Sequence, residues 1–430
     1  MSEDGYDVVV VGGGVAGATA AYMLANAGKS VVLVERGDFC GSKNMTGGRL
    51  YAHSLEKIIP GFAEECPVER RVVKERICML TEDSGVTIDY TTDSNNDPVS
   101  QSYTVLSGPL DNWIAEKAEE AGCDMVCGIC VEDLIVRDGK VCGVIADGEE
   151  LEADIVILAD GANSLLAQKI GMRKEFTPGQ MAVGVKELIE LPASVIEDRF
   201  NCDADTGAAC LFVGTPSCGG MGGGFLYTNK ESISIGMVLL MSDVVKSDVS
   251  VPQMMEDFKN HPAVAPLIKG GKLIEYSGHV VPEGGFKAIP KLVGDGVVVI
   301  GDAAGLCVNL GYAVRGMDFA IASAECAVNA ILPALDAGDF SEAKLSAYKT
   351  ELENSFIMKD MRHAQNFPEF LDSCKRMFDE YPHMAVDIFH DLFVIDGSPL
   401  KPVKQTVMAP VKKVGLMNIF KDVRKGMKAL

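Results

Sequence analysis

Hydrophobic and polar positions change rhythm several times along this chain. Residues 7–11 (Asp-Val-Val-Val-Val), apolar without a break from Val8, and 31–34 (Val-Val-Leu-Val) have the pattern of strands buried on both faces of a parallel sheet. Between them Val15 to Ala27 is rich in alanine and reads as a helix, with Gly28 placed to end it in a left-handed conformation. Strand, helix and strand form a βαβ unit. Residues 37–50 read as a loop. From about residue 60 to 105, and again from about 175 to 290, apolar and polar positions alternate between turns rich in Gly, Asn and Asp, which predicts β-structure. Leu110–Ala121 reads as a helix. Strand-like segments at 124–136 and 141–146 follow, joined by the turn Asp138-Gly139, and Ile155–Ala159 is a further buried strand. Val314–Leu332 reads as a long helix of small residues, and 340–390 as mostly helical.

These elements predict an α/β fold. Residues 1–60, 105–175 and 290–335 form a Rossmann-like dinucleotide-binding domain. Residues 61–104 and 176–289 form an inserted, sheet-rich substrate domain, and 336–430 a helical C-terminal region.

Composition narrows the function. A formal net charge of -22 over 430 residues argues against nucleic acid, whose phosphates it would repel. No run approaches the ~18 continuous apolar residues of a membrane span. The acidic start Met1-Ser2-Glu3-Asp4 leads straight into a strand and is read as no signal peptide. With that, thirteen scattered cysteines predict reduced thiols and a cytoplasmic location. The charge is uneven: residues 401–430 hold eight Lys/Arg and one acid, Asp422. There Leu416, Ile419, Phe420, Val423, Met427 and Leu430 recur at helical spacing, with Lys421, Arg424, Lys425 and Lys428 on the other side. This basic amphipathic pattern over 414–430 suits an anionic membrane surface at the inner face of the cell membrane, or an acidic partner. The alternative is a helix packed on its own acidic body.

Two glycine motifs carry the chemistry. In Gly12-Gly13-Gly14-Val15-Ala16-Gly17, Gly12 permits the tight turn and Gly14 lets the backbone approach a pyrophosphate. Gly17 permits close helix–sheet packing, and the phosphate sits on the helix N-terminus at Val15 and Ala16. Glu35 ends the second strand, where it can accept hydrogen bonds from ribose hydroxyls. The second motif, Gly301-Asp302-Ala303-Ala304-Gly305, follows the apolar run Val297–Ile300. Asp302 is placed to hold a ribityl hydroxyl, Gly305 leaves room for the cofactor chain, and Gly311 would admit backbone close to a flavin ring. One extended dinucleotide spanning both motifs is FAD. No second Gly-x-Gly-x-x-Gly occurs, which turns the electron donor away from nicotinamide.

Other candidates fall away. Ala27-Gly28-Lys29-Ser30 mimics the end of a P-loop but closes a helix instead of opening one. Cys123, Cys127 and Cys130 have cluster-like spacing, but on one continuous strand Cys127 and Cys130 point to opposite faces, so they read as structural thiols. The six histidines have no metal-ligand spacing, so no metal is expected, and no Gly-x-Ser-x-Gly elbow marks a hydrolase.

Longer stretches bring a family into view. Asn44–Glu56 (Asn-Met-Thr-Gly-Gly-Arg-Leu-Tyr-Ala-His-Ser-Leu-Glu), Val185–Pro192, Gly222–Asn229 and Arg315-Gly316-Met317-Asp318 resemble the FixC family, kin to electron-transfer-flavoprotein:quinone oxidoreductases among the geranylgeranyl-reductase-like flavoproteins. The resemblance runs nearly end to end. It implies FAD on a fold of the aromatic-hydroxylase (glutathione-reductase-2) type. It also implies electrons from a FixA/FixB-like electron-transfer flavoprotein, passed to quinone or a separate ferredoxin-like FixX partner. Only Cys374 lies beyond Cys326, so no iron–sulfur cluster can be built at that end of this chain. Many relatives carry an arginine on the FAD diphosphate where Ser107 stands here, and Arg36 or Arg49 are the candidate replacements. Gly47 and Gly48 are expected beside the flavin ring, Asp160-Gly161 near the middle of the cofactor, and Val131, Ala159 and Gly301 complete the candidate set. No acid–base residue is nominated, because electron transfer requires none. The alternatives are reduction of an isoprenoid or other apolar substrate, and a flavin-bearing scaffold in a larger complex.

Overall fold

The computed structural model describes residues 5–44, 47–94 and 97–430. The chain divides into two compact units. One is drawn from residues 1–68, 95–180 and 280–363, the other from 69–94, 181–279 and 364–430.

The first unit is organised on a parallel sheet. Tyr6–Val11 lies between Val31–Glu35 and Glu149–Leu158, with Val8 in register with Val31 on one side and Ile155 on the other. Asp124–Cys127 extends the sheet beyond Val31–Glu35, and Val297–Val299 extends it beyond Glu149–Leu158. Val8, Val9 and Val10 are wholly buried, as strands covered on both faces must be. Helices Val15–Asn26, Ser107–Glu120 and Met317–Ala337 supply cover. The α/β dinucleotide-binding class is thus the observed one.

Several boundaries differ from the sequence reading. The helix expected from Leu110 opens at Ser107, because Pro109 falls in the first turn, where an amide has no intrahelical acceptor to lose. The strand expected over 124–136 breaks after Cys127. Gly128 takes φ +80°, its amide donates to Gly37 O (2.7 Å), and the chain restarts as Val131–Arg137. Cys127 and Cys130 therefore do not share one strand, and strand alternation does not set their directions relative to each other. All thirteen cysteines are free thiols. The helix expected from Val314 begins at Met317, since Val314–Arg315 pairs with Val308–Asn309 around Gly311. It runs on to Ala337, stopped by Gly338 at φ +61°. This helix has the length and composition of a membrane span without being one continuous apolar run, but 72% of its apolar window is buried inside the protein.

The second unit is built on a largely antiparallel sheet in the order Lys272–Pro282, Met181–Glu190, Ser232–Leu240, Gly222–Thr228, Thr206–Gly214, Val68–Leu80, with Gly85–Thr91 beside the last. Helices Ala193–Phe200 and Val251–Asn260 bury Ile196, Phe200, Met254, Met255 and Phe258 against Leu80, Phe212, Leu226, Ile235 and Met237. Gly224 is required here, since a Cβ would enter the ring of Phe258.

The chain closes with helices Glu380–Phe393, Val403–Val414 and Leu416–Ala429. The last has three faces. Asp422, Gly426 and Ala429 turn inward: Asp422 accepts from Arg376 Nε (2.6 Å), Arg376 Nη2 (3.0 Å) and Tyr381 Oη (2.7 Å), and Gly426 lies on Phe370. Leu416, Phe420, Val423 and Met427 are exposed as a row. Lys421, Arg424, Lys425 and Lys428 form an exposed row beside it. The helix does pack on its own body, but through the small and acidic face, not through the apolar one.

Candidate functional site

Tertiary folding of the first unit gathers residues that are far apart in sequence. Gly12 takes φ +102°, and a Cβ there would run into the carbonyl of Ala159. That contact sets the turn of the first motif against Ala159-Asp160. A Cβ on Gly17 would strike the Gly12 carbonyl, so the helix can start only if residue 17 is glycine. A Cβ placed on Gly301 would stand 2.8 Å from that of Ala16, which brings the second motif to the start of the first helix. The Gly301 amide is fixed by Ser323 Oγ (3.0 Å). Gly14 caps the helix without any side chain bonding the first amides, leaving those donors for an anion.

Glu35 is buried, and its carboxylate accepts from Gly13 N (2.8 Å) and Gly37 N (2.7 Å). It braces the glycine loop from the strand end. Ile129 N donates to Glu35 O (3.1 Å), and Val131 opens the next strand two residues on. Arg36 is exposed. Gly47 has φ +73°, and Gly48 begins the strand Gly48–Tyr51, where a Cβ would press on the methyl of Met317. Arg49 is engaged elsewhere than on a glycine motif: Nε and Nη2 donate to Ser102 Oγ (3.1 and 3.0 Å), and the guanidinium lies over Tyr51 at 4.7 Å. Met45 and Thr46 of the family-like stretch lie outside the described residues. Gly161 (φ +76°) and Gly311 (φ +77°) both face open space.

The acid–base groups show where charge has been buried. Asp160 accepts from Leu166 N (3.3 Å) through Oδ2, while Oδ1 is buried without a partner, and desolvation raises its carboxyl. Asp302 is pushed up to about 6 by burial, against the opposing charge of Arg173. Arg173 was not among the sequence candidates. It is 6% exposed, donates Nη1 to the carbonyl of Ala303, stacks its guanidinium on Phe176 at 3.9 Å, and leaves Nη2 buried without an acceptor beside Gly305. In the sequence it sits in Arg173-Lys174-Glu175, indistinguishable from a solvated charge run. A second group that sequence reasoning left out is His53, Arg315 and Asp318. The fully buried Asp318 accepts from Arg315 Nε (2.8 Å) and His53 Nε2 (3.0 Å), and its Oδ1 has no partner.

These residues fit FAD. Free amides at a helix start suit a diphosphate, the acidic strand end suits a ribose, and glycines open the backbone where a cofactor would lie. Asp160 and Arg173 hold orphaned polar atoms beside the same motifs. Among the described residues no cluster of three or more His, Cys, Asp or Glu is placed to hold a metal.

Comparison with known proteins agrees with this chemistry. Residues 7–169 match the family described as FAD dependent oxidoreductase, 181–281 that described as ETF-QO, ubiquinone-binding, and 367–430 the ETF-QO/FixC family C-terminal domain. The fold resembles that of a geranylgeranyl bacteriochlorophyll reductase-like protein of Thermoplasma acidophilum, with a TM-score of 0.74 over 99% of this chain and 100% of that one at 20% identity. The class is therefore an FAD-dependent oxidoreductase with a quinone-binding domain. Protein FixC of Escherichia coli O157:H7 is 54% identical over the full length of both chains, and FixC of Azorhizobium caulinodans 40% over 98% of each. A probable electron transfer flavoprotein-quinone oxidoreductase, YdiS of Escherichia coli K12, is 52% identical over all of both chains. The chain belongs to the FixC family.

Proposed function

We propose that this protein takes electrons from a FixA/FixB-like electron-transfer flavoprotein and passes them to quinone and to a ferredoxin-like FixX partner. The observation that carries this reading is the pairing, in one chain, of an FAD-fitting first unit with a second unit whose residues 181–281 match a ubiquinone-binding family. A separate iron–sulfur partner is supported by the C-terminal region, where Cys374 is the lone thiol and is buried.

When bound, FAD supplies the redox chemistry. In this reading Gly12, Gly14 and Gly17 shape the backbone that receives the diphosphate at Val15 and Ala16, and Glu35 and Arg36 attend the adenosine end with Val131. Ala159, Asp160 and Gly161 line the middle of the cofactor, while Gly301, Asp302 and Gly305 hold the ribityl chain. Gly47, Gly48, Arg49 and Gly311 border the ring. Arg173 is the buried cation that serves in place of the arginine missing at Ser107, because its Nη2 is the unpaired donor beside Gly305. Work at the inner face of the cell membrane, where quinone is dissolved, belongs to the same reading and is supported by the outward apolar row of the last helix.

The test is anaerobic. Holoprotein reduced by an electron-transfer flavoprotein should lose its flavin absorbance and regain it on adding a quinone analogue. Reduced protein that ignores quinone but saturates a prenyl double bond would sink the proposal.

A further inference from the structure

The last helix and the short turn Lys375–Phe378 line an open cavity of about 300 Å³, bordered by Arg376, Lys421, Asp422, Arg424, Lys425 and Lys428. Its size is at the lower end of those that hold small ligands. Two of the six lining charges cancel: Arg376 grips Asp422 by two hydrogen bonds, and Tyr381 donates a third. That bond network holds the Asp422 carboxyl down at about 2, so it stays ionised and paired with Arg376 across physiological pH. The remaining four side chains are all cationic, all exposed, and among the described residues none is ion-paired. They stand in a chain of net charge -22, so a cationic excess at one place invites an anion from outside. Next to them on the same helix, Leu416, Phe420, Val423 and Met427 turn 55–78% of their surface outward. Phe393, Ile395 and Leu400, at the end of the helix Glu380–Phe393 and in the segment that follows it, are exposed at 67–82%.

A soluble acidic protein would match the cations but leave no account of aliphatic and aromatic side chains held in water beside them. A bilayer matches both, since phosphate groups and hydrocarbon meet within one helix diameter at its surface. We propose that this cavity seats the phosphate headgroup of an anionic phospholipid while the adjacent apolar row enters the acyl boundary. The proposal rests on the membrane-surface reading above and adds a specific headgroup site to it. Lys421, Arg424, Lys425 and Lys428 donate to the phosphate oxygens, and the Arg376–Asp422 pair fixes the helix so that these donors converge.

Flotation of the full-length holoprotein with vesicles tests it. Phosphatidylglycerol vesicles should bind the protein several-fold more tightly than vesicles of equal surface charge made with oleate, which offers carboxylate but no phosphate. Lys425→Gln with Lys428→Gln should weaken binding to phosphatidylglycerol by at least tenfold, because one cation near a charged bilayer contributes about fivefold. Lys401→Gln with Lys404→Gln removes the same charge outside the cavity and should cost clearly less. Circular dichroism and FAD absorbance verify that both variants are folded. Equal losses in the two variants, or equal binding to both vesicle types, would show diffuse attraction and overturn the headgroup site. Inorganic phosphate that binds the protein without displacing vesicles would assign the cavity to a free anion and overturn it as well. Retention on polyglutamate without any vesicle binding would overturn it in favour of an acidic protein. Failure of wild-type protein to reduce a soluble quinone would strike the electron-transfer reading and leave the vesicle result standing.

Discussion

Arg173 donates Nη1 to the carbonyl oxygen of Ala303, 130 residues away, and leaves Nη2 buried with no acceptor beside Gly305. A guanidinium so placed loses hydration without full repayment in hydrogen bonds, and burial lowers it to about 10. Such an arrangement is stable when a ligand supplies the missing acceptor. Arg173→Gln should weaken FAD binding by roughly ten- to hundredfold, the range of one charge-assisted hydrogen bond. Arg173→Lys should recover part of it. Fluorescence titration of apoprotein with FAD measures both, and unchanged affinity in a folded Arg173→Gln variant would remove Arg173 from the cofactor.

The glycines of the first motif should separate into two kinds. A Cβ at Gly14 meets only Asn44 Nδ2, at 3.5 Å, whereas at Gly12 it meets backbone at φ +102°. Gly14→Ala should therefore leave the melting temperature of the apoprotein nearly unchanged while impairing FAD binding. Gly12→Ala should itself destabilise the fold, by about 1–3 kcal/mol. Thermal melts of apoprotein alongside FAD titration check this, and equal melting temperatures would contradict the close approach to Ala159.

The C-terminal helix should detach when its polar anchor is cut. Asp422→Asn weakens the clasp by Arg376 and should cost about 1–3 kcal/mol of docking, seen as faster tryptic cleavage after Lys421, Arg424 and Lys425. The carboxyl is depressed from 3.8 to about 2, so its contribution is fully present above about 4 and is lost as pH falls toward 2. Hydrogen exchange of residues 416–429 across that window should show protection falling on acidification. A flat profile would mean that Asp422 is not the anchor.

Lys186, in the strand Met181–Glu190, is 5% exposed, lies 5.3 Å from the Phe225 ring, and is brought down to about 7 by burial against the favourable charge of Glu275. The unfolded chain protonates this amine below 10.5, so between about 10.5 and 7 it binds a proton that the folded chain does not. The Lys186 contribution to stability therefore rises with pH across that interval and is at its worst below 7. Lys186→Met should show its largest advantage over wild type below pH 7 and lose it as pH approaches 10. Urea titrations along that series measure it, and a difference independent of pH would disprove the burial of a titrating amine.

What could be read without coordinates followed from how local each requirement is. Within one strand–turn–helix unit Gly12 is demanded by its φ and Gly17 by the Gly12 carbonyl, so spacing alone exposed them, although the approach of Gly12 to Ala159 is tertiary. Strand breaks were harder. Gly128 ends Asp124–Cys127 because its amide is taken by Gly37, a partner about ninety residues earlier that no local period reveals. Likewise Val314–Arg315 is a strand only because Val308–Asn309 folds back upon it.

The sequence by itself determined FAD, the βαβ unit that receives it, and the family, since glycine conformations and apolar runs are set by near neighbours. It also placed apolar and basic rows on the last helix. Only the tertiary structure decided which face of that helix meets the body, because Asp422 is drawn inward by Arg376 across 46 residues and leaves the apolar row outside. It also separated Arg173 from an ordinary charged turn. Burial and an unpaired donor are properties of what folds around a side chain, and no window of sequence contains them.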